Sequence, residues 1–196
     1  MIDLIFNFIF VISNFIDSNY FFSFIVYFFI LIIFFSFSLP GGPLILLGSG
    51  FFFGFIPGYI INILSVSLGS LIFIVFSKKI MKKIFLKYYN KYSNKITSYI
   101  KKSSFEYLVL IRLIIGPPLI FQNVCISLMG VSKVKILVSS IVGFTPIMLL
   151  FSYTGNYASN IFELKEFSFS KIFSFEILLI LCILIFLIIF KIYQKK

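Results

Sequence analysis

Apolar stretches of membrane-crossing length alternate along the chain with proline–glycine breaks, and one long basic stretch divides the series in two. Residues 20–39 form an uninterrupted apolar run, long enough to cross a hydrocarbon core of roughly 30 Å. The run stops at Pro40-Gly41-Gly42-Pro43, a strong helix terminator. Residues 44–56 are equally apolar but too short, between that break and Pro57-Gly58, to cross as a helix. Their glycines, Gly48, Gly50 and Gly54, suit a tight bend or a close helix contact, so 40–57 reads as a re-entrant hairpin. Residues 59–76 follow as a spanning helix, with Ser65, Ser67, Gly69 and Ser70 as a small-residue face.

Between 77 and 104 the character changes: nine lysines, no acid, and Ile80, Ile84, Tyr88, Tyr92, Ile96 and Ile100 at intervals of four. On a helix of 3.6 residues per turn that stripe drifts by about 40° per step, so a break is expected near Asn90 or Ser93-Asn94. Two readings stand side by side. One is a basic amphipathic segment lying on anionic lipid headgroups across 78–102. The other is a charged loop that sets topology. Both put it in the cytoplasm, and neither requires a nucleic-acid partner. Farther on, 136–153 reads as a spanning helix containing Gly143 and Pro146, 155–170 as a short polar connection, and 173–190 as the last span before a lysine tail. At the other end, Asp3, Asn7, Asn14 and Asp17 interrupt residues 1–19, which are expected to lie along the interface rather than start the first span.

Residues 107–131 depart from the pattern. They are apolar, yet carry Arg112, Gly116-Pro117-Pro118, Gln122-Asn123 and Gly130. An arginine at the centre of a spanning helix costs about 2.5–3.5 kcal/mol by insertion scales. Paired prolines remove two backbone donors and drive Gly116 and Pro117 away from helix. Two half-helices turning back against other protein satisfy both constraints, which makes a second re-entrant hairpin. Charge placement agrees. If both hairpins re-enter, fourteen of the sixteen lysines lie on one side; if 107–131 crosses, the division is eleven to five. The positive-inside bias prefers the first and makes both the lysine loop and the C-terminus cytoplasmic.

Composition adds the class: 61% hydrophobic, 12% charged, mean hydropathy +1.14, an integral membrane protein. Thirty phenylalanines with no tryptophan or histidine point to an AT-rich genome and lipid-facing bulk, not to an aromatic binding site. Cys125 and Cys182 sit in apolar runs as small hydrophobes, with neither disulfide nor metal spacing. Without histidine, with scattered carboxylates and with no phosphate-cradling glycine loop, no metal site, cofactor or enzymatic activity is expected. The N-terminus lacks the basic region of a signal peptide.

The two broken stretches also match one another. Gly41-Gly42-Pro43-Leu44-Ile45 corresponds to Gly116-Pro117-Pro118-Leu119-Ile120, and each is followed by a span with a central glycine, Gly69 or Gly143. With opposite sides of approach, that is an inverted repeat, the arrangement of transporters whose path runs between broken elements near the midplane. At these residues, with Leu39, Phe51-Phe52-Phe53, Gly58, Pro146 and Gly155, the chain resembles the DedA / SNARE-associated Golgi protein superfamily and its VTT domain. The resemblance covers about 38–156.

It implies an all-α integral membrane fold of about four spans and two opposed re-entrant hairpins, within a VTT-like domain at 20–156 followed by 157–196. It further implies movement of phospholipid, or of a lipid-linked phosphate such as undecaprenyl phosphate, across a bacterial cytoplasmic membrane in support of envelope integrity. DedA-type members carry an acid in the first hairpin and a second arginine after the proline of the second. This chain has neither, which draws it toward the Golgi-protein branch and weakens proton coupling by a hairpin carboxylate.

Gly116, Pro117, Pro118, Arg112, Gln122 and Asn123 are the expected substrate path. Pro40, Gly41, Gly42, Pro43, Gly50, Gly54 and Gly130 are the expected hairpin bends, and Glu106 is a candidate coupling acid. Arg112 either holds a lipid phosphate or pairs with Glu106 or a helix-end carbonyl as a brace. Gln122 and Asn123 either line a polar groove or satisfy backbone freed by the prolines. Membrane lipids are the expected partners, and a homo-oligomer is compatible. An ion-coupled small-solute transporter and a non-transporting scaffold are the alternative functions.

Overall fold

The computed structural model describes residues 2–84, 105–114, 118–129 and 131–164. Among them are seven helices and no strand: α1 (Ile2–Ser18), α2 (Tyr20–Ser36), α3 (Gly42–Phe53), α4 (Phe55–Ile84), α5 (Phe105–Leu113), α6 (Leu119–Leu128) and α7 (Lys133–Leu164). An all-helical chain is what hydrocarbon demands, because a helix satisfies its own backbone donors and acceptors where no water can.

Two long helices form the frame. α4 has 30 residues and α7 has 32, each therefore about 45 Å long. Both contain a stretch long and apolar enough to cross a bilayer, Phe55–Lys78 and Lys133–Ile161. They run antiparallel. The Phe55 ring meets Tyr153 edge-on at 6.0 Å, the Tyr59 hydroxyl lies 3.2 Å from Thr145 Oγ1, and Ile74 shares a buried cluster with Ile136. Pro146 does not break α7. Beside the carbonyl that the proline leaves without a helical donor, Thr145 Oγ1 donates to Ile141 O at 2.7 Å.

Against this frame lean two short helical pairs. α3 runs back along α2: the Phe53 ring packs on Tyr20, Phe24 and Tyr27, and the Tyr27 hydroxyl donates to Ile45 O at 2.6 Å. The turn between them uses left-handed backbone at Ser38 (φ 49°) and Gly41 (φ 95°). The return into α4 depends on Gly54, whose φ of 85° and ψ of 175° is open only to a residue without Cβ. α5 and α6 make the second pair.

Each pair ends its first helix on a glycine of a long one. A Cβ at Gly69 would lie 2.7 Å from Phe35 Cβ and 3.0 Å from Ile32 O on α2; a Cβ at Gly143 would lie on Arg112 Cβ and 2.9 Å from Val109 O on α5. The correspondence of Gly69 with Gly143 is thus one of contact as well as position.

Several expectations change. Residues 40–57 do not bend at Gly48 or Gly50: α3 is continuous through both, and Gly50 serves as a contact, facing Ser152 O of α7 and Gly58 of α4. The polar connection expected from 155 onward is helical as far as Leu164, because α3 covers that part of α7. Gly155 lies against Leu47 O, and Asn62 on α4 donates to both Leu46 O (2.9 Å) and Ser152 Oγ (3.0 Å). The run expected at 20–39 is helical only to Ser36, and α1 meets α2 at 115°. Among the described residues two helices are long and apolar enough to span, or three if that bent pair counts as one span. The expected fourth span at 173–190 lies outside the described residues, as does most of the 77–104 lysine stretch. The small-residue face is buried throughout, at Ser65, Ser67, Gly69 and Ser70.

Gly155→Ala tests the α3–α7 crossing. Helix propensity alone would reward alanine by up to about 1 kcal/mol. The added methyl, however, meets Leu47 O and would lie 2.9 Å from Phe51 N, backbone atoms that cannot turn aside, and overpacking of this kind costs about 1–3 kcal/mol. The clash should win, lowering the thermal midpoint in detergent by several degrees; an unchanged or raised midpoint would contradict the crossing.

Candidate functional site

The turn of the α2–α3 pair and the start of α6 meet beside the middle of both long helices, where they enclose a cavity of about 620 Å³. Pro40–Pro43 and Pro118–Ile120 contribute one wall each, Val66 of α4 and Phe144 and Met148 of α7 another, and Arg112 and Gln122 the polar part. Apart from Ser38, the walls are otherwise apolar.

Arg112 stands in the last turn of α5 and is only 2% exposed. Its position follows from Gly143: without a side chain there, α7 admits the arginine stem against its backbone. The guanidinium carbon then lies 4.8 Å over the Phe144 ring, a cation–π contact. Nη1 donates to Asn123 Oδ1 at 2.8 Å and to Gln122 Oε1 at 3.4 Å. The amide nitrogens point onward. Asn123 Nδ2 donates to Ser38 Oγ in the other turn at 3.3 Å, and Gln122 Nε2 donates to Ile114 O at 3.3 Å, a carbonyl beyond the end of α5. Asn123 is therefore the residue that joins the two pairs.

The remaining edge of the guanidinium is bare. Nε and Nη2 are buried and have no acceptor among the described residues. Neither a helix-end carbonyl nor Glu106, in the first turn of the same helix, takes them. A buried cation with three of its five N–H donors unanswered is costly, because desolvation is not offset by pairing. Nε–H and one Nη2–H form a fork that donates in parallel to two oxygens of a phosphate or carboxylate.

Of the expected path residues, Arg112, Gln122 and Pro118 line the cavity, while Asn123 stands behind them as the link. Gly116, Pro117 and Gly130 lie outside the described residues. Among the expected bends, Pro40, Gly41, Gly42 and Pro43 line the cavity; Gly50 is at the α3–α7 crossing and Gly54 at the α3–α4 junction, both away from it. Glu106 does not reach it. Sequence reasoning missed Ser38 and Phe144. Ser38 could have been suspected from its place just before Leu39-Pro40, but nothing in the order of residues pairs Phe144 with Arg112. Among the described residues no group of three or more His, Cys, Asp or Glu comes together.

Asn123→Leu should destabilise the protein by about 1.5–3 kcal/mol, since it strips the short bond from a buried cation and the partner from Ser38. Adding Arg112→Met to that variant should restore part of the loss, because no charge is then left buried. Chemical unfolding of the four proteins in detergent measures the coupling, and strictly additive losses would contradict it.

Comparison with known proteins gives one positive result, a match of the VTT domain profile to residues 39–157. No curated protein and no solved structure matches. The matched region contains α3, Arg112, most of the cavity lining and most of α7, and it covers more than half of the chain. With its apolar helices and its buried central arginine, this chain is a membrane protein of the VTT-domain family, the domain shared by DedA and SNARE-associated Golgi proteins.

Proposed function

We propose that the protein carries the headgroup of a phosphate-bearing lipid, a phospholipid or a lipid-linked phosphate, past the bilayer midplane through the cavity beside Arg112. The observation that carries this reading is a buried guanidinium, in the lining of a largely apolar cavity, whose Nε and Nη2 find no acceptor among the described residues. A phosphate answers that edge with two oxygens. The apolar walls suit the first methylenes of an acyl or polyprenyl chain.

The position of the cavity supports the same reading. It lies beside the middle of two long antiparallel helices, at the meeting point of two short pairs. Lys78 near the end of α4 and Lys133 at the start of α7 line one pocket, so the intervening α5–α6 pair returns to the end of the molecule that it leaves. The α2–α3 pair does so at the opposite end, where Tyr20 meets Phe53. In a bilayer these are two hairpins dipping from opposite faces, and the positive-inside bias puts the lysine end in the cytoplasm, in a bacterial inner membrane. Transport of this kind needs no bond chemistry from the protein.

The competing reading, a scaffold in which Arg112 only braces α5 against α6, draws on the two Nη1 bonds. One experiment separates them. In liposomes the wild type should accelerate flip of fluorescent phospholipids, and Arg112→Gln should slow it by roughly ten- to a hundredfold, the worth of a charge-assisted contact, while remaining folded and monodisperse. Wild-type rates equal to those of empty liposomes across several lipid compositions would overturn the proposal, and a fully active Arg112→Gln would favour the brace. For the architecture, cysteines replacing Lys78 and Lys133 should react from the same compartment; labelling from opposite sides would exclude a returning α5–α6 pair.

A further inference from the structure

A second pocket, of about 340 Å³, lies between the C-terminal half of α4, the end of α6 and the start of α7. It shares no lining residue with the Arg112 cavity. Its floor is apolar, formed by Ile74, Ile126 and Ile136, each no more than 3% exposed, with Val131 beside them. At its rim stand two ammonium groups from different helices, Lys78 and Lys133, both exposed. Neither is held in an ion pair among the described residues, and no carboxylate lines the pocket.

The other polar groups nearby are already committed. Ser127 Oγ donates to Val124 O at 2.7 Å. At the start of α7, Ile136 N–H donates to Ser132 O at 3.1 Å and Lys135 N–H to Ser132 Oγ at 3.5 Å. The recognition capacity of the pocket is therefore two positive charges over an apolar floor, a pattern that fits an amphiphilic anion and leaves half of its surface unused by a free one. Its volume lies at the small end of ligand pockets, roughly 300–1,000 Å³, enough for a headgroup and the start of a chain but not for a whole lipid.

We propose that this pocket is a binding site for an anionic glycerophospholipid, with the phosphate clasped between Lys78 and Lys133 and the first methylenes against Ile74, Ile126 and Ile136. The site is fixed by three helices and two particular lysines, in contrast to the diffuse attraction that any basic segment exerts on an anionic leaflet. It depends on the chain lying in a membrane, not on lipid passage at Arg112, so its failure and that of the lipid-passage reading are separate events.

The test uses full-length protein in neutral detergent, followed by native mass spectrometry and thermal unfolding, with dioctanoyl phosphatidylglycerol, dioctanoyl phosphatidylcholine or inorganic phosphate. Phosphatidylglycerol should be retained and should raise the unfolding midpoint; phosphatidylcholine should do so much less, and phosphate not at all. The double variant Lys78→Gln/Lys133→Gln should bind phosphatidylglycerol about tenfold more weakly or worse, at roughly a lysine's worth of surface attraction each. Lys135→Gln, an exposed lysine outside the pocket, should bind as the wild type does. An equal loss in Lys135→Gln would reduce the effect to unspecific charge and overturn the site. So would phosphatidylcholine binding as well as phosphatidylglycerol, or inorganic phosphate reproducing the shift. All three substitutions are at exposed side chains, so folding is not at stake.

Discussion

A guanidinium removed from water in an apolar interior has to find acceptors, and much of this structure can be read as the means of supplying them. Arg112 leans on α7 only because Gly143 is bare of side chain there. Its head then takes oxygen from Asn123 and Gln122, and through Asn123 the contact extends to Ser38 in the turn of the other pair. One buried cation thereby draws together segments from both halves of the chain. The three N–H donors left over are what turn a structural bond into a candidate site, since a fully satisfied arginine would have no reason to meet a ligand.

Around that contact, glycine sets the distances. Lipid gives no hydrophobic reward for bringing one apolar helix to another, so close van der Waals fit and interhelical hydrogen bonds have to hold the bundle. Gly50, Gly58 and Gly155 let three helices cross at backbone contact, with Asn62 tying the same three. Gly69 and Gly143 do the equivalent for the first helix of each pair. The half of the bundle around α3 is the more tightly tied, while the half around α6 retains the lysine-rimmed pocket. The two short pairs thus make like contacts of unlike closeness, and a lipid in that pocket would supply on one side what glycine crossings supply on the other.

Much of this was present in the order of residues. A continuous apolar run of spanning length between Pro-Gly breaks reads as helix in hydrocarbon, because a helix satisfies its own backbone groups and irregular chain leaves them without partners. The turns at 40–43 and near 118, the cost of Arg112 and the equivalence of Gly69 with Gly143 all follow from local chemistry. So did membership of the VTT-domain family, carried by motifs of glycine and proline whose roles are steric. What failed was the reading of glycine and polarity as signs of chain breaks. Gly48, Gly50 and Gly155 lie inside continuous helices, since a glycine that costs a helix about 1 kcal/mol in isolation is retained where a neighbour occupies the place of its Cβ, the Tyr27 hydroxyl at Gly48 and backbone at Gly50 and Gly155.

The sequence by itself therefore determined the class of solvent, the helical secondary structure, the two breaks and the single arginine that had to be explained. The tertiary structure alone decided which groups answer that arginine: Asn123 and Gln122 rather than Glu106, with Phe144 beneath and Ser38 behind. The reason is physical. Turns and helices arise from interactions among near neighbours in the chain, whereas the partners of a buried charge are chosen by whichever distant segments can approach closely enough, and approach depends on glycines far from it in sequence.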